Sequence, residues 1–145
     1  MQKSWIGSGK PRKGKALYDS NVLIAYLFRE EWKFDTAKEV LAKHPDRYMS
    51  IISIHEIGYY SREMGTEVKF MEMKPKLIQL IKPLQIDQET CTHAIALRSL
   101  EKLSGIDSFM AVTAIRYNVD YFYTFDEDFT RLNSRKIKNT MIIKL

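Results

Sequence analysis

A chain of 145 residues with 45% hydrophobic and 28% charged side chains has the size and balance of one soluble globular domain. No apolar run approaches the ~20 residues of a membrane span, the opening residues show no apolar leader, and the single cysteine, Cys91, excludes an intrachain disulfide or a cysteine-based metal cluster, so a cytoplasmic location is expected. The formal charge of +5 lies wholly in residues 1–15, where Lys3, Lys10, Arg12, Lys13 and Lys15 stand without an acid. The rest of the chain is neutral, with 18 basic and 18 acidic side chains. Residues 1–15 therefore read as a flexible basic N-terminal arm, open either to phosphate contacts or to plain solvation, and residues 16–145 as the domain.

Ala16-Leu17-Tyr18 reads as a short buried strand ending in Asp19, with Ser20 and Asn21 as capping types for a helix to about Phe28. Phe34 to Lys43 sets Ala37, Val40 and Leu41 at helical spacing, and His44-Pro45-Asp46 breaks it. Tyr48 to Ile52 reads as a second strand. Ser53 then caps a helix to about Met64, with Glu56 in the capping-box position. Gly65-Thr66 separates it from a helix over Glu67 to Ile81, which Pro75 should bend or split.

Pro83 to Ile86 suggests a third strand near an edge, and Asp87 caps a helix to about Leu103. After the turn Ser104-Gly105-Ile106, Asp107 opens a helix to about Tyr117. Its residues Phe109, Met110, Ala111, Val112 and Ala114 are apolar nearly all round, so it should be buried. Tyr121 to Thr124 is the fourth strand, followed at once by Asp126, Glu127 and Asp128. Met141 to Lys144 is the fifth, after a basic segment with Arg131, Arg135, Lys136 and Lys138. Strands alternating with helices imply an α/β fold, a parallel sheet with helices on both faces.

Asp19 and Asp126 follow predicted strands, whereas Glu56 and Asp107 lie near helix starts. Strand ends and helix starts share one rim of such a sheet. Taken singly, Asp19 and Asp107 suit helix caps, Glu56 a capping box and Asp126 a turn; together they have reason to converge. Two carboxylates about 4 Å apart repel by roughly 4 kcal/mol at an effective dielectric near 20. Four in one place must hold a cation or take up protons. An all-oxygen donor set favours Mg²⁺ or Mn²⁺ over zinc, which suits metal-assisted hydrolysis of a phosphodiester.

Four segments then resemble the signature segments of PIN-domain ribonucleases: Asp19-Ser20-Asn21-Val22-Leu23-Ile24, Ser53-Ile54-His55-Glu56-Ile57, Gly105-Ile106-Asp107-Ser108-Phe109-Met110, and Tyr123-Thr124-Phe125-Asp126-Glu127-Asp128. They occur in that family's order across residues 16–145. The resemblance implies a five-stranded parallel sheet in the order 3-2-1-4-5, and an endoribonuclease using Mg²⁺ or Mn²⁺ held or organised by Asp19, Glu56 and Asp107. Asp126 matches a more variable fourth acid that Asp128 can replace. Small PIN domains of this size resemble VapC-type toxins, which implies RNA as substrate, a small antitoxin as partner and a homodimer. The alternative is a PIN-like module that binds or processes RNA without cutting it.

Other phosphate enzymes fit less well. A haloacid-dehalogenase-type phosphatase needs a second Asp where Asn21 stands, a phosphoreceiver domain needs an acidic pair, and no GTPase phosphate loop is present. His44 reads as a loop residue at the surface, His55 and His93 as packing or surface residues, and Cys91 as a core side chain. Tyr121, Phe122, Tyr123, Phe125 and Phe129 read as core rather than base-stacking platforms, and Tyr59 and Tyr60, on the helix of Glu56, as open to facing a partner or RNA. Ser20 and Thr124 are placed to bond the acids or simply to cap.

Overall fold

The computed structural model describes residues 14–145. Of the expected basic arm, only Gly14 and Lys15 fall within it. Strand β1 (Lys15–Tyr18) buries Ala16, Leu17 and Tyr18 completely, as a central parallel strand covered on both faces must. It pairs in parallel with β2 (Asp46–Ser50), Leu17 against Tyr48, and with β4 (Tyr121–Thr124), Leu17 against Phe122. Beyond β2 lies β3 (Lys82–Leu84), and beyond β4 lies β6 (Thr140–Lys144).

The order β3-β2-β1-β4-β6-β5 is the expected arrangement with one added edge strand, so the sheet has six strands rather than five. The extra β5 (Lys136–Ile137) runs antiparallel to β6. Two residues inside a basic loop carry no alternation to betray a strand. Lys138, at φ 51°, makes the turn that folds them back.

Side chains alternate across the strands and so divide the core in two. On one face Ala16, Tyr18, Met49 and Tyr123 pack with Val22, Leu41, Ile57 and Leu77. These come from α1 (Ser20–Leu27), α2 (Glu31–Lys43), α3 (Ile51–Glu63) and α4 (Glu67–Leu80). On the other face Leu17, Phe122 and Ile142 pack with Met110, Ala111 and Ala114 of α6 (Gly105–Arg116) and with Phe129 and Leu132 of a 3₁₀ helix (Glu127–Leu132). Helix α5 (Gln88–Glu101) lies against α6. Arg116 clasps it by bonding Asp87, Thr90 Oγ1 at 2.7 Å and Glu89 Oε2 at 2.7 Å.

Several boundaries and assignments differ from the sequence reading. β2 ends at Ser50, whose Oγ caps α3 by accepting from Ile52 N at 3.2 Å. Ile51 and Ile52 have strand propensity, but the cap and burial of the helix outweigh it. Ser53 is therefore a buried first-turn residue rather than the cap. β3 begins at Lys82 and stops at Leu84.

Helix α4 runs unbroken through Pro75, which is exposed along with Met71. Water can therefore serve the Met71 carbonyl that loses its donor. His44 is fully buried, not a surface residue: its Nε2 lies 2.7 Å from Tyr123 Oη and its ring 4.9 Å from that of Tyr121. Cys91 is exposed, because Thr90 and Ala94 are the residues of α5 turned inward. Of the expected aromatic core, Phe122, Tyr123, Phe125 and Phe129 are buried, whereas Tyr121 is only half-buried at the start of β4.

Phe122 is wholly buried on the central strand pair and meets Phe129 edge-on, with ring centres 5.3 Å apart. Phe122→Ala is expected to cost about 3–5 kcal/mol in urea unfolding. A loss under about 1 kcal/mol would contradict this packing.

Candidate active site

Asp19 stands where β1 gives way to α1. Its N–H still bonds across the sheet to Tyr123 O at 2.9 Å, so the strand pairing positions it. Its carboxylate caps α1, Oδ1 accepting from Ser20 N at 2.7 Å. Oδ2 accepts from Thr124 Oγ1 at 2.8 Å and from Asn21 Nδ2 at 3.4 Å. Thr124 Oγ1 in turn accepts from Asp126 N at 3.0 Å. A single hydroxyl thus orients the acid after β1 and the backbone of the acid after β4. Asn21 adds a second tie, its Oδ1 accepting from Phe125 N at 3.0 Å.

Glu56 lies in the second turn of α3, where the earlier helix start carries it toward α1. Ser20 Oγ donates to Glu56 Oε1 at 2.5 Å and lies 2.8 Å from Ser53 Oγ. A hydroxyl has one proton to donate, so Ser53 donates to Ser20, and Ser20 to Glu56. Glu56 is held by this relay of serines rather than by a capping box.

Asp107 lies in the first turn of α6, its N–H donating to the capping Ser104 Oγ at 3.1 Å. It is only 8% exposed. Asp126 caps the 3₁₀ helix, Oδ1 accepting from Asp128 N at 2.9 Å. One carboxylate oxygen each from Asp107, Asp126 and Asp128 lie within 4.8 Å of one another. Of the four acids expected at the site, Asp107 and Asp126 join this tight group; Asp19 and Glu56 stand beside it, each tied to α1. Asp128, expected only as a substitute, is the third member.

Charge accumulates here. Burial pushes the Asp19 carboxyl up to about 6; the bonds from Thr124 and Ser20 oppose this, while the charges of Glu56 and Asp126 add to it. Burial likewise raises Asp107 to about 7, reinforced by Asp126 and Asp19 and opposed by Ser104. A cation would relieve this excess, and the donor set suits one, since an all-oxygen group favours Mg²⁺ or Mn²⁺.

The sequence reading did not foresee the parts played by Asn21 and Ser53. Both looked like caps, and only the meeting of α1 with β4 and α3 reveals them as supports. Among the basic residues after the fourth strand, Arg131 Nη2 donates to Glu101 O at 2.7 Å, and Arg135, Lys136 and Lys138 are exposed. No described helix is long and apolar enough to cross a membrane.

The PIN domain family model matches residues 16–134. No curated protein sequence matches the chain significantly. Among solved structures, a toxin–antitoxin complex from Klebsiella pneumoniae is similar, with 24% identity, TM-score 0.67, 87% of this chain covered and 95% of that one. VapBC2 from Rickettsia felis, bound to promoter DNA, shares 15% identity at TM-score 0.66, with coverages of 90% and 98%. VapC20 of Mycobacterium tuberculosis, a toxin that cleaves the sarcin–ricin loop, shares 15% at TM-score 0.65, with 80% and 93% covered.

The raised carboxyls set the pH dependence of the metal-free protein. An unfolded Asp titrates near 3.9, below the folded values for Asp19 and Asp107, so the native state holds more protons between these limits. The stability these two acids contribute is therefore full below about pH 4 and falls as pH rises toward about 7. The Asp19 shift is worth about 3 kcal/mol. Urea unfolding in EDTA is expected to show this decline, and Asp107→Asn to flatten it. A rise over the same window would contradict the assigned directions.

Proposed function

The chain belongs to the PIN domain family, and from that premise we propose that it is a Mg²⁺- or Mn²⁺-dependent endoribonuclease. The observation that carries this reading is the cluster of Asp107, Asp126 and Asp128 beside the buried Asp19. Asp19, Glu56, Asp107 and Asp126 hold or organise the ion, and Asp128 shares the position of Asp126. When bound, the ion polarises a phosphate oxygen and lowers the pKa of water.

The chain's own groups set the geometry. Thr124 and Ser20 fix the two oxygens of Asp19. Ser20 engages one oxygen of Glu56, while the other retains the capacity to accept a proton from attacking water. Water adds to phosphorus in line with the departing 3′ oxygen, which takes a proton and leaves as a hydroxyl. The products end in 5′-phosphate and 3′-hydroxyl, with no protein nucleophile.

The VapBC and toxin–antitoxin neighbours support the further reading that this nuclease is a toxin restrained by an antitoxin; a homodimer acting in the cytoplasm is the state that goes with that reading. The basic side chains Lys3, Lys10, Arg12 and Lys13, which precede β1 in the sequence, add phosphate contacts.

RNA incubated with Mg²⁺ or Mn²⁺ is expected to be cut, and EDTA to stop the reaction. Asp107→Asn keeps the side-chain size but removes the charge; it is expected to lower cleavage by about 10²-fold or more and to weaken the rise in Tm that Mn²⁺ produces. Mapped products should carry 5′-phosphates. RNA binding without products under any metal condition would instead establish a module that does not cut.

A further inference from the structure

Trp32 is the most exposed large aromatic residue described, at 72%. It lies in the first turn of α2, directly after the turn that Arg29 makes at φ 51°. An indole left in water forgoes the burial that normally accounts for tryptophan. Its surroundings are specific: the ring meets Phe125 edge-on, centres 5.9 Å apart at 88°, and Lys33 Nζ lies 5.4 Å from the centre of each ring. Phe125 separates Thr124, which orients Asp19, from Asp126, and its N–H is pinned by Asn21. The exposed indole therefore rests on Phe125, the residue that precedes Asp126 in the chain.

We propose that Trp32, with Lys33, is a stacking site for the base of the single-stranded RNA nucleotide next to the scissile phosphate. This deepens the ribonuclease reading and rests on it. The π-face of the indole suits any base, and the Lys33 ammonium is placed to accompany the adjoining phosphate. The cleft of about 290 Å³ is lined by Glu30, Glu31, Trp32 and Lys33. The two acids repel phosphate from their side, so the cleft receives a base and the backbone passes on the Lys33 side. A lone ring among charged residues is not the contiguous apolar patch that a protein partner needs.

The test uses the full chain with Mn²⁺ and a random-sequence single-stranded oligoribonucleotide pool. Trp32→Ala is expected to raise KM about 5- to 100-fold with kcat within about 2-fold and an unchanged Tm, and Trp32→Phe to recover most of the loss. In a Trp5→Phe, Asp107→Asn background, where Trp32 is the only tryptophan, the same RNA with Mg²⁺ should quench its fluorescence saturably. Unchanged KM in Trp32→Ala together with no quenching overturns the proposal. Loss of self-association in Trp32→Ala at unchanged KM also overturns it and assigns the ring to a second copy of the chain. If the native protein cuts no RNA, the ribonuclease reading fails, and saturable quenching still establishes the stacking site.

Discussion

The rim of the sheet depends on one hydroxyl. Thr124 Oγ1 donates to Asp19 and accepts from the N–H of Asp126, which ties together the ends of the two strands flanking the crevice. Without such donors a carboxylate that is 6% exposed would face the desolvation cost of a buried charge unaided. The bonds from Thr124 and Ser20 work against that cost but do not cancel it, since Asp19 still titrates well above its ordinary range. The site is thus preorganised yet carries excess negative charge, a combination suited to receiving a cation rather than to stabilising the empty fold.

The two-sided core explains how such a rim is held. Ala16 and Tyr18 face one layer of helices and Leu17 the other, so β1 is clamped from both sides and the corner after it has little freedom. On the second face α6 delivers Asp107 from its first turn while Met110, Ala111 and Ala114 anchor the same helix against Leu17 and Phe122. The acid is as well placed as the packing behind it. On the first face α1 and α3 meet through Ser20 and Ser53, which brings Glu56 toward Asp19. Each layer contributes acids, and the sheet sets the gap between them.

Other acidic residues show what the rim does differently. Asp87 also caps a helix, but it lies in the open beside Arg116, and the bonds from Thr90 and Arg116 bring its carboxyl down to about 2. Asp19 likewise caps a helix, and Asp107 sits in the first turn behind the cap Ser104, but burial drives both of these carboxyls the opposite way. A cap with a positive partner has no charge left to satisfy; a buried cap among other carboxylates does.

Much was legible in the amino-acid sequence. Apolar runs alternating with helical periodicity settle a parallel α/β sheet, and the placement of Asp19, Glu56, Asp107 and Asp126 after strands and at helix starts points to a shared rim, because both signals are local and repeat along the chain. Only tertiary structure decided the rest. Ser50 rather than Ser53 caps α3, which turns Ser53 and Ser20 into the support of Glu56. Asn21 reaches Phe125, and His44 reaches Tyr123, across most of the chain. Asp128, not Glu56, completes the tight oxygen group. Capping residues look alike in a sequence whether they serve their own helix or a distant strand. Which one they serve depends on the burial and the partners that packing brings, and those belong to the folded chain.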